Sequence, residues 1–358
     1  MISRTWLLQS LVGAAAAIPA FSGLAADWPG QRDGSYTIKD FRFHTGETIL
    51  SLKVGYTTIG NPDGDPVLIL HGTTGSAKSM LGDKFAGELF GPGQPLDASR
   101  HYIILPDSLG AGRSAKPSDG MRAKFPRYNY ADMVQVQHRL VTEHLGIRHL
   151  RLVLGNSMGG MHVWMWAQQY PGLMDIAVPM ASLPGEMSGR NWITRRLIID
   201  SIRKDPLWQD GNYTTQPPSV QFASVFFGFA TSGGDQALNR LAPTRAQADA
   251  LLDSRLTAEF KGDANDSLYQ WDSSRDYNAL PGLDKITAYT LVINSADDER
   301  NPPELGILDR EMKRIRHGRV LLIPGSETTA GHGTTMQAAL WKDELAKVLA
   351  TAPRLNSP

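Results

Sequence analysis

The sequence predicts an α/β fold: a mostly parallel sheet flanked by helices, with a helical cap inserted into it. Three observations lead there. Short, continuous apolar runs recur along the chain, the pattern of strands buried on both faces. Segments of helical periodicity separate them, and strands alternating with helices build a parallel sheet. The alternation then stops after Ser182 and resumes only at Thr290, so one core is split by an insertion. The chain has 358 residues, 41% hydrophobic and 20% charged, enough for one large core with an inserted lobe.

Taken in order, the chain first reads as an export signal. Arg4 supplies an early positive charge, and Trp6 to Ala20 form an almost uncharged run rich in Leu and Ala. Ser22, Gly23, Ala25 and Ala26 are small residues before Asp27. That order is the pattern of a cleaved signal peptide, and the run falls short of the roughly 20 apolar residues that span a bilayer. Residues 1–26 are expected to be removed, leaving a periplasmic or secreted protein without stable membrane insertion.

Residues 27–182 hold the first part of the core. Tyr36–His44 and Thr48–Ile59 alternate as an antiparallel hairpin, followed by the turn cluster Asn61–Pro66. Val67–Leu70, Tyr102–Leu105, Leu150–Leu154 and Ile176–Ala181 are the buried strands expected here. Between them, Tyr130–Leu145 carries Met133, Val136, Leu140 and Leu145 at helical spacing. A second helix, Met158–Tyr170, stops at Pro171-Gly172, and its Met161, Trp164, Met165 and Trp166 read as core. Residues 183–285 show no clear strand and read as the helical cap. They hold a helical stretch at Ile193–Arg203, turn signals at Asp205-Pro206 and Gln216–Pro218, and many aromatics, among them Trp192, Trp208, Phe222, Phe226, Phe227 and Phe229. Arg195, Arg196, Arg203 and Lys204 read as a solvated helix face. Residues 286–358 complete the core with Thr290–Ile293, a helix near Glu304–Ile315, Val320–Ile323 and a helix over Thr335–Leu349.

Gly155-Asn156-Ser157-Met158-Gly159 fits the Gly-x-Ser-x-Gly nucleophile elbow of the α/β-hydrolase fold, and it sits in the required setting, between a strand and a helix. Small flanking residues let the two arms of a sharp turn pass closely and leave the Ser157 hydroxyl exposed as a candidate nucleophile. The loop His71–Gly75, after an earlier strand, is where this fold draws one backbone N–H of an oxyanion hole. Thr73 and Met158 are expected to serve there through backbone rather than side chain. His71 reads as structural. Of nine histidines, His332 alone lies in the loop after the last strand, between Gly331 and Gly333, where it can act as a general base. The fold's chain order of Ser, acid, His points to a carboxylate after Leu291–Ile293, where Asp297 and Asp298 compete to orient the ring.

At this level of detail the sequence resembles homoserine O-acetyltransferase and its relatives. The resemblance is carried by Leu70-His-Gly-Thr-Thr-Gly-Ser76, Asp132-Met133 with Gln137, Gly155-Asn-Ser-Met-Gly-Gly-Met161 and Tyr170-Pro171. It continues through Asp205-Pro-Leu-Trp208, Gly211-Asn-Tyr213, Asp263-Ala-Asn265 and Leu268-Tyr269 to Pro302-Pro303 and Gly331-His332. It implies a nucleophile at Ser157, a base at His332 and, from the spacing to the Pro-Pro pair, an acid at Asp298 rather than Asp297. The family's mechanism passes an acyl group from acetyl-CoA, through an acyl-serine, to a hydroxyl. Two departures stand out. Ser219–Val225 lacks the Arg with which the family engages the homoserine carboxylate, and Asn156 replaces a frequent Gly.

Basic and acidic residues number 36 each, so no charge excess favours a nucleic-acid partner, and a chain without cysteine has neither thiol nucleophile nor disulfide. No phosphate loop, dinucleotide fingerprint or metal-binding His cluster appears, so the sequence implies no metal and no bound cofactor. The expected partner is a small-molecule acyl ester, and a homodimer is compatible with the sequence. The reading that results is a serine hydrolase of esters. An acyl-CoA-dependent O-acyltransferase is the alternative, and a non-enzymatic binding protein on the same fold is a third reading.

Overall fold

The computed structural model describes residues 28, 30–231 and 234–355. The expected signal peptide lies outside them. Eight strands form one sheet: β1 (Arg32–Arg42), β2 (Thr48–Gly60), β3 (Asp65–Leu70), β4 (His101–Pro106), β5 (Leu150–Asn156), β6 (Met174–Met180), β7 (Tyr289–Ser295) and β8 (Gly318–Ile323). Their order is β1-β2-β4-β3-β5-β6-β7-β8. The pairs β1–β2 and β2–β4 are antiparallel and the rest parallel. From β3 the chain moves outward to β4, then returns to place β5 on the other side of β3. Such a reversal opens a crevice at the carboxyl ends of β3 and β5, where ligands of open α/β sheets bind.

Successive strand residues face opposite sides of the sheet, and here both sides are covered. Leu68 and Leu70 join one core with Met133, Val136, Trp164 and Trp166. Val67 and Ile69 join the other with Phe85, Phe90, Leu345 and Val348. The helices that supply these layers are α1 (Ala86–Leu89), α2 (Tyr130–Arg139), α3 (Met158–Gln169) and α10 (Lys342–Thr351). Asn129 caps α2 by accepting from the Asp132 N–H at 3.0 Å, and Asp132 returns the bond to the Asn129 N–H at 3.2 Å.

Between β6 and β7 lie α4 (Gly189–Arg203), α5 (Pro218–Thr231), α6 (Asp235–Leu241), α7 (Arg245–Leu256) and α8 (Ala264–Asp272). They have an apolar centre of their own, including Ile198, Ile199, Ile202, Val220, Ala223, Leu268 and Trp271. Polar ties fasten them to the sheet domain. The Ser118 hydroxyl donates to Asp266 at 2.6 Å, Gln270 to the Leu109 carbonyl at 2.8 Å and the Tyr269 hydroxyl to the Phe125 carbonyl at 2.9 Å. No described helix is long and apolar enough to cross a membrane.

Two elements differ from expectation. The helix expected over Glu304–Ile315 is broken by Gly306, whose φ of 60° leaves only α9 (Ile307–Glu311) as a regular turn of helix. The last helix starts at Lys342, not Thr335. Residues 331–340 wind instead as 3-10 turns held by the site: the Thr335 hydroxyl donates to Asn156, and Trp341 Nε1 donates to the Thr335 carbonyl at 2.9 Å.

Candidate active site

The site is built at the sheet's reversal point. β5 ends at Asn156 and α3 starts at Met158, so Ser157 alone makes the turn, with φ 57° and ψ −113°. A non-glycine residue rarely adopts positive φ, and such strain collects at functional positions. The surrounding glycines are required by contact. A Cβ on Gly155 would lie 2.3 Å from the Gly159 carbonyl oxygen, one on Gly159 2.1 Å from that of Leu70, and one on Gly160 2.4 Å from that of Met180. The elbow is therefore pressed between β3 and β6, and the Ser157 N–H donates to the Met180 carbonyl at 2.9 Å.

His332 reaches this serine from the loop after β8. Its Nε2 lies 2.8 Å from Ser157 Oγ, and its Nδ1 lies 2.8 Å from Asp298 Oδ2. An ionised carboxylate only accepts, so Nδ1 carries the proton and Nε2 is left to accept from the serine hydroxyl. Asp298 is 1% exposed. Burial opposes its charge, but the adjacent His332 ring, the hydrogen bonds from His332 and Asn301, and the Arg300 N–H together hold the carboxyl below its ordinary range. Its Oδ1 accepts the backbone N–H of Arg300 at 2.9 Å, and Asn301 Nδ2 donates to Oδ2 at 2.9 Å and to the Ala181 carbonyl at 3.0 Å. Asn301 thus ties the carboxylate to the end of β6, a role invisible in sequence.

Asp297 has a different job. Its Oδ2 accepts from the Thr329 hydroxyl at 2.7 Å and the Gly331 N–H at 3.2 Å, while the Ser295 hydroxyl bonds Oδ1. It holds the turn that precedes His332 and has no bond to the ring.

The loop after β3 lies beside the serine: a Cβ on Gly72 would sit 3.5 Å from that of Ser157. Among the described residues the N–H groups of Thr73, in this loop, and Met158, at the start of α3, have no acceptor. His71 has both ring nitrogens committed, Nδ1 at 2.8 Å from the Gly72 carbonyl and Nε2 accepting from the Ser108 N–H at 3.0 Å. Full burial keeps it neutral at ordinary pH by lowering its pKa, so it braces the loop, as expected.

The model of the alpha/beta hydrolase fold family matches residues 65–327. The homoserine O-acetyltransferase of Trichormus variabilis is 33% identical over 255 residues, which are 67% of this chain and 68% of that protein. The chain belongs to the α/β-hydrolase family, among its homoserine O-acetyltransferase-like members. A probable acyltransferase of Methanothermobacter thermautotrophicus is 28% identical over 278 residues, 75% of this chain and 84% of that protein. The crystal structure of homoserine O-acetyltransferase from Bacillus anthracis superposes with a TM-score of 0.78 at 20% identity, covering 92% of this chain and all of that one. That of esterase E22 gives 0.76 at 22% identity, covering 89% of this chain and 100% of that one. At those identities the structural likeness concerns the fold alone.

Two further groups belong to the surroundings of this α/β-hydrolase-family site, and one corrects the sequence reading. Arg195 is not on a solvated face. It is 4% exposed, donates from Nη1 to the Trp271 carbonyl at 3.3 Å, and has no partner for Nε among the described residues. Its helical register points it inward at Tyr130 and α8, whereas Arg196 pairs with Asp200 at the surface. Arg300, also buried, donates to the Ala230 carbonyl, Asn191 Oδ1 and Thr231 Oγ1 at 2.8, 2.8 and 2.9 Å. Both guanidiniums approach the Phe227 ring, 5.8 and 4.9 Å from its centre. Burial first, and then the charge of Arg195, lower the Arg300 pKa to about 9, with Asp298 acting in the opposite sense.

Proposed function

We propose that the protein is a serine hydrolase that cleaves acyl esters through a covalent acyl-Ser157 intermediate. The observation that carries this reading is the unbroken line from the strained Ser157 hydroxyl to His332 and on to the ionised Asp298. Ser157 Oγ attacks the ester carbonyl carbon and its proton passes to His332 Nε2. The carbonyl oxygen becomes an oxyanion, which the free N–H groups of Thr73 and Met158 can stabilise; each such donor is worth about 3 kcal/mol. The ester C–O bond then breaks, and His332 returns the proton to the leaving alkoxide. Water attacks the acyl-Ser157 carbonyl and gives its proton to His332. Expulsion of Ser157, which takes that proton back, releases the acid. Asp298 fixes the ring tautomer and stabilises its cation throughout.

A second reading, transfer of the acyl group to an alcohol, is favoured by the names of the relatives. Both readings share acyl-Ser157 and differ in what attacks it. Transfer needs an acceptor oriented close to His332 with water kept away, and α5, which carries Ser219–Val225, offers no Arg for the homoserine carboxylate. The mature enzyme is expected to hydrolyse a simple aryl acetate faster than it makes O-acetylhomoserine from acetyl-CoA and homoserine. The opposite ranking in the two assays would replace the hydrolase reading by the transferase one.

We also propose that residues 1–26 are a cleaved export signal, on the charge, apolar-run and small-residue order of that segment. Export would place the enzyme away from cytoplasmic acyl-CoA. Terminal sequencing of the protein recovered from its producing cell is expected to begin near Ala26 or Asp27. Soluble cytoplasmic protein retaining Met1 would exclude this.

A further inference from the structure

Arg195 and Arg300 pose an electrostatic problem that the protein itself leaves open. A buried guanidinium is costly unless an anion pairs with it. Among the described residues neither arginine forms an ion pair. The partners of Arg300 are a carbonyl, an amide oxygen and a hydroxyl, all neutral. The nearby carboxylate, Asp298, is committed to His332 and Asn301. Arg195 is poorer still, with a single long bond to a carbonyl and an unpartnered Nε.

Arg195 is also not alone in lacking partners. The Tyr130 hydroxyl lies close to Thr73, Ser274 and Arg195. Yet the Tyr130 hydroxyl, the Thr73 hydroxyl and Arg195 Nε are all buried, and none completes a well-aligned hydrogen bond. Three donors therefore converge beside the loop that brings the Thr73 N–H to Ser157. A carboxylate, with about four acceptor positions on two oxygens, matches that set. A crevice of about 530 Å³ between the sheet domain and the cap is lined by Thr74 and Gly75, which follow Thr73 in the chain, and by Phe227 and Trp271. Those last two residues are the ones Arg195 touches.

We infer that Arg195, with Arg300 as a second positive charge against the same Phe227 ring, binds a carboxylate carried by the substrate, so that the enzyme's substrates are acyl esters with an acidic group. Arg195 lies beside Tyr130, which is close to Thr73 of the oxyanion loop, and Arg300 stands two residues after Asp298. This chain therefore places its positive charge on α4 and on the loop after β7, not on α5 at Ser219–Val225. The identification of the ligand as an ester rests on the hydrolase reading above; the anion site does not.

The test separates the two. Calorimetry on the mature Ser157→Ala protein, which should not turn substrate over, would compare two acids with their primary amides. Monoethyl glutarate carries its acid on the acyl side, and 3-acetoxypropanoate on the alcohol side. At least one acid is expected to bind on the order of ten- to a hundredfold more tightly than its amide, the range for hydrogen bonds to a charged group. Whichever pair discriminates identifies the side of the ester that carries the acid. Arg195→Gln, added to that background, should abolish the difference, Arg195→Lys should retain part of it, and Arg196→Gln should retain all of it. Thermal melts would verify that each variant is folded, and the Lys variant keeps the question decidable should Gln not be tolerated. Equal binding of acid and amide in both pairs, or an acid preference that survives Arg195→Gln, overturns the inference. Turnover by the wild-type enzyme is read independently. Acid-selective binding without ester cleavage would sink the hydrolase reading and keep the anion site, and cleavage of neutral esters without acid-selective binding would do the reverse.

Discussion

Ser157→Ala is expected to lower ester turnover by roughly four orders of magnitude or more and to abolish any acyl-enzyme signal, because hydroxyl, imidazole and carboxylate act as a unit. What survives should be the weak assistance of the N–H groups of Thr73 and Met158 and of binding alone. The fold should survive as well. Ser157 contributes its backbone to the elbow through the N–H bond to Met180 and the carbonyl that receives Met161, and alanine keeps both. Alanine must still adopt φ 57°, as serine does, so the strain is unchanged in kind. Mass spectrometry after brief exposure to an aryl ester reads the acyl adduct, and a serine-directed phosphonate reads the nucleophile. Labelling of any other residue, or turnover within tenfold of wild type, would remove Ser157 from its role.

What could be read in the sequence divides along a physical line. Strands buried on both faces are recorded in local composition, so Val67–Leu70, Leu150–Leu154 and Thr290–Ile293 were legible as runs, and each lies within an observed strand. The elbow was legible because steric contacts at Gly155 and Gly159 demand glycine at a fixed spacing. The shorter helices were less so. One left-handed glycine, Gly306, was enough to break the pattern over Glu304–Ile315, and the start of the last helix was decided by a bond from Thr335 to Asn156, far away in sequence. Arg195 was misread for the same reason. In a helix with basic residues at 195, 196, 203 and 204, nothing local says which one points inward. That is settled by Tyr130 and by Trp271, 76 residues further on, which no periodicity within α4 contains. Arg300 stands two residues after Asp298, close enough to be noticed, but its burial depends on Asn191, Ala230 and Thr231 from the cap. Sheet and elbow are thus encoded locally, whereas the groups proposed to select the substrate are assembled from distant segments.

The adjacent aspartates offer the sharpest separation of roles. Asp298→Asn is expected to lower kcat by about four orders of magnitude. Its side chain would be nearly the same size and would remain buried against Asn301 and the Arg300 N–H. It would, however, present an N–H₂ group at the Oδ2 position, where Nδ1–H of His332 and Asn301 Nδ2 now donate, or else place that group at the Oδ1 position against the Arg300 N–H, another donor. The first arrangement favours a ring with its proton on Nε2, which cannot take the proton of Ser157, and the second sets two donors against each other and loosens the side chain that orients the ring. Asp297→Asn should cost tenfold or less. Its oxygen can rotate to keep accepting the Gly331 N–H while the new amide faces the Ser295 hydroxyl, which can turn to accept. Asp297→Ala should fall between the two. Without the bonds to Thr329 and Gly331 the turn before His332 loses its anchor, so both kcat and the melting temperature should drop, whereas Asp298→Asn should leave the melting temperature little changed. Steady-state kinetics and thermal melts on the three variants check this pattern. A severe Asp297→Asn beside a mild Asp298→Asn would move the orienting role by one residue. Two mild Asn variants would show that His332 is oriented by another group, with Asn301, which lies within 3.4 Å of His332 Nδ1, the next side chain to test.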